Sequence, residues 1–307
     1  MLGCNGAAGT VSTSTAAREP DARSSRLIAR NLNNARHLVV VGSKDFPEAR
    51  VLGEIYAQTL HAAGYNVHRR LGLANEGVAF RALTRGSIDA YPEYTGIILN
   101  GFYGYSPGGI PKNAGKAFAA ARRRLRADGV TPLPQARVND TQAVVVTPGL
   151  AEKTGNLRTI SDLARTGSRF VAAGHPACER EPLCFRAVKR RYHVKFKRFR
   201  ASNPPYKALD QGAADVAFAF TTDPELSSGD YVALFDDKHL FAPYRVTLLF
   251  RSRLLARLGP DARRAVADVQ KPLTTETMRR LNARVIFDNE TPRSVARAFL
   301  KEEGFVK

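Results

Sequence analysis

The sequence predicts an α/β protein with parallel-rich sheets flanked by helices. Two observations carry that prediction. Short apolar runs alternate with stretches of helical periodicity along most of the 307 residues. Two of those runs, at residues 38–41 and 88–91, lead into polar segments, and open α/β sheets place ligands at the carboxyl ends of their strands. The length suits two lobes of ordinary domain size.

Leu38-Val39-Val40-Val41 is an apolar run that a parallel strand would bury on both faces. Gly42 and Ser43 break it. Val51, Leu52, Ile55, Tyr56, Leu60 and Ala63 then share one helical face, and Gly64 is the stop. Residues 65–71 read as a strand, 76–85 as a helix ended by Gly86, and 88–91 as a strand. The following Tyr91-Pro92-Glu93-Tyr94-Thr95-Gly96 is expected to place two tyrosines, a carboxylate and a threonine on one tight turn. Residues 95–103 read as helical, 106–111 as a Gly/Pro loop and 112–127 as an amphipathic helix ended by Gly129. A second unit starts near Thr141, with strands at 143–146, 169–173, 194–199, 215–220 and 230–235. Its helices fall at 161–164, 182–192 and 206–211. A strand at 243–250 and three helical stretches close the chain. Residues 5–35 lack aromatics and are rich in Ala, Ser, Thr, Arg and Asn. They read as a tether, with some helix near 26–32.

The formal net charge is +19. Basic runs at Arg122-Arg123-Arg124 and Lys189-Arg190-Arg191 sit on predicted amphipathic helices, with no zinc-finger spacing or RNA-binding signature beside them. The charge therefore reads as a solvated basic surface, and no nucleic-acid partner is expected. No apolar run approaches the length of a membrane span. Catalytic and cofactor motifs are missing: no Gly-x-Ser-x-Gly, His-Glu-x-x-His or Gly-x-Gly-x-x-Gly occurs. Gly108 to Lys116 has a superficial likeness to a phosphate loop, but its glycine spacing is wrong and Ala117 stands where the metal-binding hydroxyl belongs. The six histidines have no metal-ligand spacing. Neither an enzyme, a cofactor nor a metal site is expected.

Two tyrosines beside a carboxylate suit a cation whose charge is spread over methyl groups. The series Val40 to Glu48, Ile88 to Gly96, Asn139-Asp140-Thr141, Phe220-Thr221-Thr222-Asp223, Asp236-Asp237-Lys238, Pro243-Tyr244 and Leu273 to Asn282 resembles, in one collinear order, the osmoprotectant-binding components of ABC importers. Those proteins capture glycine betaine, choline, carnitine and similar quaternary amines. The resemblance implies a type II periplasmic-binding-protein fold, two α/β lobes joined by a two-crossing hinge. Residues 36–140 with 243–307 would form lobe one, residues 141–242 lobe two, and residues 1–35 a largely disordered tether. It implies a small-molecule amine ligand, permease and ATPase partners, and a monomer without catalysis. The alternatives are a ligand sensor or enzyme reusing the same scaffold, or an importer component for a different cationic or zwitterionic amine.

The resemblance also implies site residues. Tyr94 and Tyr244 fit cage tyrosines, Thr95 a polar contact, and Asp140 the position facing the cationic head. Arg180 fits a carboxylate partner, while Ser43 and Lys44 lie at the mouth of the first strand. Two positions depart from the family pattern: Gln142 and Phe220 stand where tyrosine is usual. Phenylalanine keeps a ring face, whereas glutamine loses a wall and adds donors. Tyr91 or Tyr206 are the rings available to compensate. Cys178 and Cys184 close a short loop around Arg180. Only His175 lies near, too few ligands for a metal, so they form either a disulfide or two buried thiols. Export, which the resemblance implies, favours the disulfide. Leu2-Gly3-Cys4 resembles the end of a bacterial lipobox with Cys4 as the lipidated residue, although no charged and apolar signal regions stand before it. The expected location is extracytoplasmic, lipid-anchored at the cell membrane or periplasmic.

Overall fold

A computed structural model describes residues 26–166 and 169–307. Cys4 and most of the expected tether lie outside the described residues.

In chain order the first elements are β1 (Leu38–Lys44), α1 (Pro47–Ala62), β2 (Asn66–Leu73), α2 (Glu76–Thr84) and β3 (Ala90–Tyr94). Next come α3 (Thr95–Ile97), which continues as a π-helical turn over Ile98–Phe102, then α4 (Ala114–Leu125) and β4 (Val130–Pro132). The middle of the chain holds β5 (Gln142–Val146), α5 (Pro148–Lys153), α6 (Ile160–Arg165), β6 (Arg169–Gly174), α7 (Phe185–Tyr192) and β7 (Lys195–Ala201). It ends with α8 (Tyr206–Asp210), β8 (Val216–Phe220) and β9 (Val232–Leu234). The last part is β10 (Val246–Arg251), α9 (Ser252–Arg257), α10 (Pro260–Gln270), α11 (Thr275–Ile286) and α12 (Pro292–Glu302).

The strands form two five-stranded sheets, ordered β2-β1-β3-β10-β4 and β7-β6-β8-β5-β9. Both are mixed rather than parallel-rich. β1 is parallel to β2 and β3, but β10 runs antiparallel between β3 and β4. In the second sheet β6 is parallel to β7 and β8, while β5 is antiparallel to β8 and β9. The antiparallel strands β5 and β10 follow the two segments by which the chain passes between sheets. No helical crossover within one sheet precedes them, so nothing forces them parallel.

The central strands of each sheet are buried on both faces, and strand alternation shows it, while the edge strands β2 and β7 are largely exposed. Val39 and Val41 join a core with α1 and the terminal helices, while Val40 packs toward α2 and α4 on the other face. In the second sheet Val144 and Val146 face one core, Ala143 and Val145 the other.

Several expectations need correction. The Tyr91–Tyr94 segment is the end of β3, not a turn. Thr95 N–H reaches Arg245 O at 2.9 Å, so by alternation Pro92 turns its missing N–H toward β1, where pairing ends at Val41–Ala90. β4 and α5 were not anticipated, and four helices rather than three close the chain, with Gly259 at φ 74° separating α9 from α10. Residues 26–35, expected in the tether, pack on the first sheet's layer, and a 3₁₀ turn spans Leu32–Arg36. Ile28 N–H donates to Phe305 O (3.1 Å) and Asn31 N–H to Ala63 O (3.2 Å). Asn31 O approaches so closely that a Cβ on Gly64 would lie 2.2 Å away. No helix among the described residues is long and apolar enough to cross a membrane.

Candidate functional site

A cavity of about 450 Å³ opens between the two sheets. Six of the nine expected ligand residues line it: Lys44, Tyr94, Asp140, Gln142, Phe220 and Tyr244. Phe46, Phe241, Glu181, Pro182 and Leu183 complete much of the wall.

The first sheet supplies one side. Lys44, at the end of β1, is buried and donates to Glu93 Oε1 at 2.6 Å. Its Nζ also sits 4.6 Å from the Tyr94 ring centroid and 5.4 Å from that of Phe46. Lys44 thus covers a face of Tyr94, one of the rings expected to wall the cage. Two of its three N–H donors are not used by Glu93, and Lys44 lines the cavity. Tyr94 donates its O–H to Glu48 Oε1 at 2.6 Å. Glu48 lies in the first turn of α1, where the helix dipole favours a carboxylate. Asn282 Nδ2 on α11 donates to Glu48 Oε2 at 2.8 Å.

Gly96 has a steric reason. A Cβ there would fall 2.2 Å from Cε2 of Tyr244, so the Tyr244 ring lies flat on the start of α3 only because position 96 is glycine.

The two inter-sheet passages are sewn together at the cavity floor. Asp140 N–H donates to Tyr244 O at 3.1 Å, and Tyr244 N–H to Asn139 Oδ1 at 2.8 Å. Thr141 N–H donates to Thr221 Oγ1 at 2.9 Å, and Thr141 Oγ1–H to Ala242 O at 3.1 Å. Thr222 Oγ1–H donates to Asp140 Oδ1 at 2.9 Å. From α11, Arg279 Nε–H reaches Thr221 O at 2.7 Å and Asn282 Nδ2–H reaches Thr222 O at 2.9 Å.

The cavity is acidic at its base. Loss of hydration lifts Glu48, Glu93 and Asp140 above the usual carboxylate range, Asp140 furthest, with the neighbouring Glu48 charge adding to it. Glu93 already has Lys44 as its cation, whereas Glu48 and Asp140 hydrogen-bond to Tyr94, Asn282 and Thr222.

Three expected residues are placed elsewhere. Ser43 is fully buried; its O–H donates to Lys44 O (3.0 Å) and its oxygen accepts from Gly72 N–H (3.2 Å), so it ties the ends of β1 and β2. Thr95 is also buried, donating to Pro243 O and accepting from Arg245 N–H, each at 3.1 Å. Arg180 does not line the cavity; its neighbours Glu181, Pro182 and Leu183 do. Cys178 and Cys184 are joined, with Cα atoms 5.2 Å apart, and Gln142 Oε1 rests 3.5 Å from Cys184 Sγ. The loop therefore offers a carboxylate where a guanidinium was expected. Neither Tyr91 nor Tyr206 compensates for Gln142: Tyr91 is core, and Tyr206 packs on Tyr231 and donates to Asp223 Oδ2 at 3.1 Å. The extra rings are Phe46 and Phe241. The roles of Glu48 and Asn282 were missed, although both lie inside quoted motifs.

The profile of a family described as the substrate binding domain of ABC-type glycine betaine transport systems matches residues 37–302. The chain belongs to this family. It is 30% identical over 275 residues to the glycine-betaine-binding protein of Pseudomonas aeruginosa, covering 85% of this chain and 86% of that one. It is 27% identical over 284 residues to the Helicobacter pylori ergothioneine transport permease/ergothioneine binding protein, covering 91% of this chain and 50% of that one. Among solved structures, apo YehZ from Escherichia coli superposes with a TM-score of 0.77 at 25% identity, over 87% of this chain and 98% of that one. The fold is accordingly that of periplasmic substrate-binding proteins, and the chain is the substrate-binding component of a transporter of this class.

Proposed function

We propose that this chain captures a zwitterionic quaternary amine outside the cytoplasm and presents it to the permease and ATPase subunits of an importer. The observation that carries the reading is the pairing of Lys44 and Asp140 in one aromatic-walled cavity. A quaternary ammonium has no N–H, so ring faces and a carboxylate must select it. Tyr244 and Phe220 supply open rings and Asp140 the charge. Lys44 meets the ligand's own carboxylate through its unused donors. Gln142 adds a hydrogen bond that a tyrosine there would not offer. Glycine betaine and ergothioneine, named for two relatives, both carry a trimethylammonium and a carboxylate.

Residues 36–140 with 243–307 act as one lobe and 141–242 as the other, and they close on the ligand about the passages at 139–141 and 242–245. The working form is a monomer held at the membrane by a lipid on Cys4. Isothermal titration against glycine betaine, carnitine, ergothioneine and choline tests the ligand. The zwitterions should bind more tightly than choline, and Lys44→Met should narrow that gap. If no amine binds, the reading fails.

A further inference from the structure

The recess beside the cavity, lined by Glu48, Asp140, Thr222 and Asn282, holds a proton-counting problem. Glu48 receives hydrogens at both oxygens, from Tyr94 and Asn282. Asp140 receives one from Thr222 at 2.9 Å. Glu48 lines the same recess as Thr222, whose hydroxyl carries a single hydrogen, given to Asp140. With both carboxyls ionised, two negative charges share this recess.

Lys44 acts on both charges but is no hydrogen-bond partner of either among the described residues. On β1 and β3, Lys44 is paired with Glu93 at 2.6 Å. On α11, Arg279 turns its Nε–H to the Thr221 carbonyl, and Glu276 is exposed. After β8, Asp223 adds another carboxylate, held by Phe220 N–H at 3.0 Å and Tyr206 O–H at 3.1 Å, with Glu225 beyond it. From the disulfide loop Glu181 adds a further negative charge near Tyr244. Like charges in a poorly hydrated site do not both ionise, and burial raises Glu48 and Asp140 alike.

We propose that Glu48 is a specificity-determining residue: in the free protein Glu48, Thr222 and Asp140 share one proton, and a bound permanent cation replaces it, the proton passing to solvent. This rests on the amine-binding reading above. The site then selects charge as well as shape. A trimethylammonium exchanges for the proton, whereas a neutral tert-butyl isostere cannot, because it leaves two carboxylates unbalanced once the proton goes. One exchanged proton makes cation affinity rise with pH by up to about tenfold per unit until the free site is deprotonated.

Titration calorimetry of the full chain with glycine betaine, in buffers of different ionisation heat, reads the released proton directly. Wild type should release close to one at neutral pH. Glu48→Gln should release almost none and lose the pH slope. Infrared spectra of the ligand-free protein supply a second reading: a protonated-carboxyl band should be present in wild type and absent in Glu48→Gln. The same titration with choline and with its carbon isostere 3,3-dimethylbutanol should show release only for choline. Tight amine binding without proton release, or no carboxyl band in the free protein, overturns the inference and leaves the amine-binding reading standing. No binding of any amine overturns both.

Discussion

Tyr94 is the residue whose role changed most between sequence and structure. Its ring is buried and faces the Lys44 ammonium, and its O–H is committed to Glu48. The rings most open to a ligand are Phe220, 45% exposed, and the half-buried Tyr244. Tyr244→Ala and Phe220→Ala should each weaken binding by about tenfold, from ~1–2 kcal/mol per desolvated cation–π contact. Tyr94→Ala should cost at least as much, because it also frees Lys44 and Glu48. Tyr94→Phe separates the two parts: it keeps the ring and removes one donor from a buried carboxylate, a loss of about 1–3 kcal/mol in stability. Calorimetry for binding and denaturant titration for stability would resolve them. If Tyr94→Ala binds the best amine unchanged, the cage assigned here is wrong. Asp140 makes an opposite trade. Its pKa is raised in the folded protein, so the native state holds more protons than the unfolded chain above the ordinary carboxylate range. The stability this gives is present at low pH and is lost as pH rises through the raised value. Asp140→Asn should therefore melt higher than wild type at neutral pH while losing cation affinity, which a thermal scan at two pH values would show.

At the scale of elements, α11 and the disulfide loop connect fold to site. Arg279 and Asn282 stand three residues apart on one face of α11, both reaching the segment after β8. Asn282→Ala removes a donor from Glu48 and from the Thr222 carbonyl together, and should cost roughly 2 kcal/mol with a loss of affinity. The loop between Cys178 and Cys184 is short, so its cross-link contributes only about 2 kcal/mol on the chain-entropy model. The paired Cys178→Ala, Cys184→Ala variant should stay folded and bind less tightly, since Glu181, Pro182 and Leu183 form a cavity wall. Most strands and long helices were legible because each carries its own period: Val39, Val40 and Val41 alternate between two cores, and α1 shows one apolar stripe. β4 was not, since three residues hold no period. The Tyr-Pro-Glu-Tyr segment read as a turn because proline suggests one, and only the neighbouring strands show that its missing N–H faces an unpaired edge. The cavity residues Lys44, Tyr94 and Asp140 were legible through motif order. Glu48 and Asn282 lay in those motifs but acquire meaning only together, because 234 residues separate them. Arg180 and Glu181 are adjacent in sequence, and which one meets the cavity depends on loop geometry that composition does not encode.

The molecule as a whole combines a net charge of +19 with an acidic cavity floor. The basic residues are concentrated in part on one edge: residues 185–201, spanning α7 and β7, carry eight Lys or Arg and no acid. β7 is an edge strand, and cations along such an edge oppose pairing with other chains. The cavity lies away from that edge, between the sheets. One wall carries Lys44, Phe46, Tyr94 and Tyr244; the other carries Gln142, Glu181, Pro182 and Phe220. The sheets are joined by two chain passages and by hydrogen bonds among 139–141, 221–222 and 242–244. A ligand that touches both walls must therefore favour the closed arrangement by its differential contacts, and only by that amount. Saturating ligand should raise stability by RT ln(1 + [L]/Kd), about 2.7 kcal/mol at a hundredfold excess over Kd, and should shrink the radius of gyration in solution scattering. Phe220→Ala removes a ring from one wall and leaves the other intact. It should retain weakened binding while the ligand-induced compaction is reduced. Equal compaction in wild type and Phe220→Ala would mean that closure is not driven by contacts across the cavity.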